Sequence, residues 1–181
     1  VNKLRHRGKW NARPRDAANL AQWLSWTYER PLSWQVVDID APLAELCDAP
    51  VLYISGAGAC EFTAAQTDKL RDYVLRGGLI ISEAAANSAE FTLDMQECCR
   101  SMFPDAALTP LGKDHPLLAG PGAADSLGGA VAVDNGIRPL VIHSPMELSG
   151  SLQMGYDRGD ARSNAIYEAL ARIYLYSTDN G

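Results

Sequence analysis

Glu83 and His143 are the residues best placed for acid–base chemistry, because each closes a run that reads as a buried β-strand. "GGLIISEAAANSAEF" (77–91) has the pattern of a strand, a turn and a helix. At such an elbow, backbone N–H groups and the helix N-terminus stabilise an anion, so Glu83 suits a general base or a metal ligand. It suits equally well a helix cap or an ion-pair partner of Arg5 or Arg7. Asn87 lies in the same elbow, and His143 follows the apolar run of "IRPLVIHSP" (137–145). Gly56 and Gly58 in "APVLYISGAG" (49–58) can bring backbone donors close to an anion, or simply turn the chain. Cys60 lies on the same predicted loop. A nucleophilic thiol needs a lowered pKa and a base; His143 can supply the base, but the neighbouring Glu61 raises the thiol. Asp38 and Asp40 close "SWQVVDID" (33–40). His115, in "KDHPL", either reaches a cleft from a loop or makes a local hydrogen bond. Trp10 stands in a polar loop beside Arg5 and Arg7, where an indole can stack on a sugar or a base. Trp23 and Trp26 flank a core stripe and are expected to pack.

These groups form one site only if the chain gathers them. "RPRDAANLAQWLSWTYERP" places Ala17, Leu20, Ala21, Leu24, Thr27 and Tyr28 on one helical face, with Pro14 in its first turn and Pro31 as its stop. Thr63 and Gln66 form a capping-box pattern, and Gly77 closes the helix they start. Asn87 or Ser88 caps a helix that turns Phe91, Met95, Cys98, Cys99 and Met102 inward, so the vicinal cysteines read as core. Ile166, Ala169, Leu170, Ile173 and Tyr174 make the stripe of a last helix. Residues 112–136 and 150–163 read as irregular loops, the first a candidate lid. Short strands alternating with helices predict an α/β fold with a mainly parallel sheet. Ligands of such folds bind beyond the carboxyl ends of the strands. On that geometry Arg5, His6, Arg7 and Trp10, then Asp38 and Asp40, then Ser55, Gly56, Gly58, Cys60 and Glu61, then Ser82, Glu83 and Asn87, and finally His143 and Ser144 converge on one rim, which His115 can reach from the lid.

The 181 residues suit a single domain, 1–181, and the start at Val1 suggests one excised from a longer chain. An apolar fraction of 47% and a charged fraction of 21% are those of a soluble globular protein. No apolar run approaches the ~18 residues a membrane span requires. A net charge of −6 argues against general nucleic-acid binding. The charge is uneven. Lys3, Arg5, Arg7, Lys9, Arg13 and Arg15 all precede the first acid, Asp16, and removing those six from the 16 cations leaves ten against 22 acids. Such a basic strip suits a small anion or an acidic sugar, or else a solvated, salt-bridged face. No C-x-x-C pair exists among the four cysteines, so neither a zinc site nor a disulfide framework is expected, and no cofactor is implied. G-x-S-x-G, a phosphate-loop lysine motif, G-x-G-x-x-G and H-E-x-x-H are all absent. That removes elbow serine hydrolases, P-loop nucleotide hydrolysis, standard dinucleotide binding and zincin peptidases.

"LRHRGKWNARPRDAANL", "PVLYISG", "LRDYVLRGGLIISEAA", "EF" at 90–91, "MFPD", "DHPL" and "IHSPMELS" occur in this order. The ordered set resembles the bacterial domain of unknown function numbered 4159. The resemblance implies a three-layer, flavodoxin-like fold of the class I glutamine amidotransferase-like superfamily, often within larger cell-envelope proteins, with no established activity. True amidotransferases carry a cysteine at the elbow in a G-x-C-x-G pattern. Here Glu83 and Ala84 stand in its place, so glutamine hydrolysis by that route is not expected. The resembled family tends to carry acidic residues at this turn, which Glu83 matches, and commonly a histidine near Ala57, which is missing.

The expectation is therefore a non-catalytic module that binds a small anionic or sugar ligand or another protein. The alternative is a hydrolase using carboxylate or metal-assisted chemistry through Glu83, Asp38 and His143.

Overall fold

The computed structural model describes residues 1–112, 115–118, 122–127 and 129–179. Seven strands form one sheet: β1 (Asn2–Arg5), β2 (Gln35–Asp38), β3 (Val51–Gly56), β4 (Leu79–Ala84), β5 (Leu108–Pro110), β6 (Val131–Asp134) and β7 (Pro139–Ser144). Their order is β2-β1-β3-β4-β7-β6-β5. The first five are mutually parallel, while β6 runs antiparallel to β7 and to β5. The helices are α1 (Asp16–Thr27), α2 (Leu43–Leu46), α3 (Ala64–Leu75), α4 (Ala89–Met102), α5 (Ala123–Ser126), α6 (Ser149–Met154) and α7 (Ala161–Asp179).

The sheet is covered on both sides because its central strands are apolar on both sides. Val51, Tyr53, Leu79 and Ile81 face a core built with Leu20 and Leu24 of α1, Leu152 of α6 and Ile166 and Leu170 of α7. Leu52, Ile54 and Ile80 alternate with them and face Leu70 and Val74 of α3 and Phe91, Met95, Cys98 and Cys99 of α4. Both vicinal cysteines are thus core residues, as their helical spacing predicts.

Helix ends follow local chemistry. Thr63 Oγ1 accepts from the Gln66 amide at 3.3 Å and Gln66 Oε1 from the Thr63 amide at 3.0 Å, a complete capping box. At the other end of α3 the Gly77 amide donates to Val74 O at 3.0 Å and Gly78 N–H to Tyr73 O at 3.2 Å. That Schellman arrangement needs the left-handed backbone of Gly77, φ 101°. Ser88, not Asn87, caps α4.

The structure departs from the sequence reading at several places: the edge strand β5 has no counterpart in that reading, and Trp26, expected to pack, is exposed. Helix α1 begins at Asp16, so Pro14 precedes it. The segment read as a loop over 112–136 contains β6, and residues 113, 114, 119–121 and 128 of it lie outside the described ones. The segment 150–163 contains most of α6 and the start of α7. Strand β6 has four residues and α6 six, too short for either periodicity to register.

Candidate functional site

Parallel pairing aligns the strand ends that carry the predicted groups. Ser55 is opposite Glu83, Glu83 opposite Ser144, and Arg5 opposite Asp38. The same pleat then divides them. Glu83 and Ser82 project to opposite faces, and His143 is the register partner of Ser82. Glu83 and His143 therefore share an edge of the sheet but lie on different sides of it.

On the α1/α6/α7 side, Glu83 is fully buried, with 0% exposure. Its Oε1 accepts from the Ser55 hydroxyl and, at 3.2 Å, from the Tyr53 hydroxyl. Its Oε2 accepts from the Leu148 and Ser149 amides at 2.9 and 3.4 Å. Burial pushes the carboxyl upward, and these donors pull it back. Next to it lies a buried charge pair. Lys3 Nζ is 2.6 Å from Asp16 Oδ1 and donates to Arg13 O at 2.9 Å, with the Trp10 ring centroid 5.6 Å away. Burial raises the Asp16 carboxyl more than Lys3 lowers it. Tyr53 is pushed well up by burial, then by the charges of Glu83 and Asp16.

On the α3/α4 side, His143 Nδ1 is 2.7 Å from Ser82 Oγ and its Nε2 is 3.3 Å from Thr92 Oγ1. The Ser82–His143 distance is that of a nucleophile and its base. Both residues are only 1% exposed, however, and a hydroxyl rather than a carboxylate meets the far ring nitrogen. His6 lies near them on this side: Gly8 N–H donates to its Nδ1 at 3.0 Å, so Nε2 carries the proton and donates to Ser55 O at 3.0 Å. Its ring is 5.8 Å from that of Phe91, which in turn is 6.2 Å from that of His143.

The remaining candidates are distributed between rim and surface. Arg5 and Asp38 form an exposed ion pair at 2.6 Å. Arg7 and Glu61 are exposed, and the Glu61 amide donates to Asp94. Trp10 is half-buried over Lys3. Gly56 exists for packing: a Cβ there would lie 2.4 Å from the Phe91 ring and 2.8 Å from Gly8 O. Gly58 is buried with the Lys9 stem 3.6 Å from where its Cβ would be. Asn87 Oδ1 accepts from the Glu147 amide at 2.8 Å. His115 is half-buried, and its Nδ1 accepts from the Leu117 amide at 3.2 Å in its own turn. Cys60 is buried, its thiol driven far up by burial and then by Asp94. Such a thiol is no nucleophile.

Sequence reasoning missed the cover over Glu83. Glu147 pairs with Arg13 at 2.8 Å, Gln153 Oε1 accepts from the Arg15 amide at 2.9 Å, and Asn19 Nδ2 donates to Leu152 O at 2.8 Å. Segment 147–153 is thereby fastened to α1 and to β4 together. The sequence reading also leaves out the Lys3–Asp16 pair.

The buried histidines set an acid limit. Burial lowers both His6 and His143 to about 4 from an ordinary 6.5. The unfolded chain therefore takes up protons first, and the histidines' contribution, intact above pH 6.5, is lost as pH falls toward 4. Glu83 and Asp16, raised by burial, have the opposite sign and lose stability as pH rises through their folded pKa values. Inside the window each histidine adds a slope of up to about 1.4 kcal/mol per pH unit. Urea midpoints are expected to fall between pH 6.5 and 4.5, less steeply in His143→Gln. A flat profile contradicts buried neutral histidines.

Fold and rim together define a mixed α/β domain with a mostly parallel seven-stranded sheet and helices around it. The family model described as Domain of unknown function (DUF4159) matches residues 1–121, and the chain belongs to that family. The match ends before β6, so "IHSPMELS" lies beyond it. No curated protein matches the chain. Among the described residues no group of three His, Cys, Asp or Glu is arranged to hold a metal ion, and no helix is long and apolar enough to cross a membrane.

Proposed function

We propose that this domain is a ligand-binding or protein-interaction module that retains a class I glutamine amidotransferase-like, flavodoxin-type scaffold without its elbow cysteine. The observation that carries the reading is the state of Glu83: a buried carboxylate whose two oxygens are occupied by four donors of the fold itself. A general base must reach a substrate proton within hydrogen-bond range, and this one is enclosed. The strand order β2-β1-β3-β4-β7 supports the scaffold, since it repeats the doubly wound 2-1-3-4-5 order of flavodoxin. Helices on both faces support three layers.

Arg5, Arg7, Asp38, Glu61 and Asn87 form the accessible part of the rim and would meet a small anionic or sugar ligand or a partner protein. The buried Gly56, Gly58 and His143 hold that rim in place. A bacterial cell-envelope setting follows from the family resemblance.

Thermal shift in the presence of divalent metals tests this against metal-assisted hydrolysis. No stabilisation by Mg2+, Mn2+, Ca2+ or Zn2+ is expected, in either the parent or Glu83→Gln. A saturable rise in Tm that Glu83→Gln abolishes would favour the hydrolase.

A further inference from the structure

The largest of the described cavities, about 610 Å³, lies away from Glu83, between α1 and α7. Its volume falls within the ~300–1,000 Å³ usual for small-molecule sites. Trp23, Trp26 and Tyr156 supply its aromatic wall, and Arg158, Glu168 and Arg172 its charges.

The wall is partly fixed before any ligand arrives. Trp23 is 5.2 Å from both Tyr156 and the buried Tyr167, and Tyr156 meets Tyr167 edge-on at 5.4 Å. The Tyr167 hydroxyl is anchored on Leu152 O at 3.3 Å. Trp26, one helical turn beyond Trp23, is 71% exposed, a flat apolar ring standing in water. Indole faces of this kind pack against the C–H face of a pyranose or against a base.

The charges discriminate between those two. Two arginines and one glutamate leave a net of one positive charge on the lining, which matches one carboxylate per sugar unit better than the concentrated charge of a di- or triphosphate. Glu168 offers acceptors only, and so favours a ligand rich in hydroxyl donors. Arg172 holds Glu168 loosely, at 3.4 Å through Nη2, while its Nη1 is buried with no hydrogen-bond partner among the described residues. A ligand carboxylate would be taken by Arg158 and by the exposed part of the Arg172 guanidinium, whose hold on Glu168 is loose, since guanidinium groups pair with carboxylates in a two-pronged geometry.

We propose that the α1–α7 cleft binds an acidic sugar, a pyranose unit carrying a single carboxylate, stacked on Trp26 and Trp23 and held through Arg158 and Arg172. This site is separate from the carboxyl rim, and its standing does not depend on how the rim is read.

Isothermal titration with trigalacturonate, with tryptophan fluorescence as a parallel readout, tests it. Saturable binding is expected, weakened at least about tenfold in Trp26→Ala and in Arg158→Gln. Both are surface substitutions, and an unchanged melting temperature would verify that each variant remains folded. Arg5→Ala with Arg7→Ala, on the rim, should leave this affinity unchanged, which separates the cleft from the rim. The neutral trisaccharide maltotriose should bind at least tenfold more weakly, as should AMP. No saturable binding of trigalacturonate, binding indifferent to Trp26→Ala, or tighter binding of AMP would overturn the proposal.

Discussion

Asp16→Ala is expected to cost about 3–5 kcal/mol in urea denaturation at pH 7, the range for a buried ion pair that loses one partner. Lys3 and Asp16 are both essentially inaccessible and lie 2.6 Å apart. Removing the carboxylate leaves an ammonium in the core whose remaining hydrogen-bond acceptor among the described residues is one carbonyl, Arg13 O. A buried charge with half its compensation lost either shifts its pKa or draws water inward, and both routes destabilise the fold. The double variant Lys3→Met with Asp16→Leu removes both charges and should recover most of the loss, because apolar replacements of buried pairs are often neutral. A loss below about 1 kcal/mol in the single variant would mean that Lys3 reaches solvent.

Glu83→Ala should be of similar size, about 3–5 kcal/mol, by a different mechanism. Four buried donors lose their acceptor together: the Tyr53 and Ser55 hydroxyls and the Leu148 and Ser149 amides. Each unsatisfied donor costs roughly 1–3 kcal/mol, and the total is less than the sum because the hydroxyls can rotate to other acceptors. The two amides cannot rotate. Their loss detaches the start of α6 from β4, so limited proteolysis should cut between 147 and 154 in the variant before anywhere in β3 or β4. Glu83→Gln keeps one acceptor oxygen and should lose about 1–2 kcal/mol. Equal stability of all three proteins would show that the carboxylate is not holding the cover.

The parallel half of the sheet is legible in the sequence for a physical reason. Strands β3 and β4 are buried on both sides, so "VLYI" and "LII" are unbroken apolar runs. Helices α3 and α4 carry their caps in sequence as Thr63, Gln66, Gly77 and Ser88. Strand β5, three residues on the sheet edge, has no such signature and was not anticipated.

Within the site, Glu83 is legible as a charge at an elbow, but its role is not. The donors that define it include backbone amides 65 and 66 residues away, and an amide has no residue type to read. His143 illustrates the second limit. Its strand could be read, but which face it would take depended on pairing with Ser82 rather than Glu83, a matter of register. Lys3 illustrates the third. Among six early cations nothing in its type marks it as the buried one; only its partner Asp16 does, across thirteen positions.

Amide hydrogen exchange at Leu148 and Ser149 measures most directly whether the elbow carboxylate belongs to the framework. The account predicts that both amides are protected in the parent protein nearly as well as those of β4, and that Glu83→Ala releases them while β4 stays protected. Rapid exchange of both in the parent protein would contradict it, since Glu83 would then be free to meet a substrate.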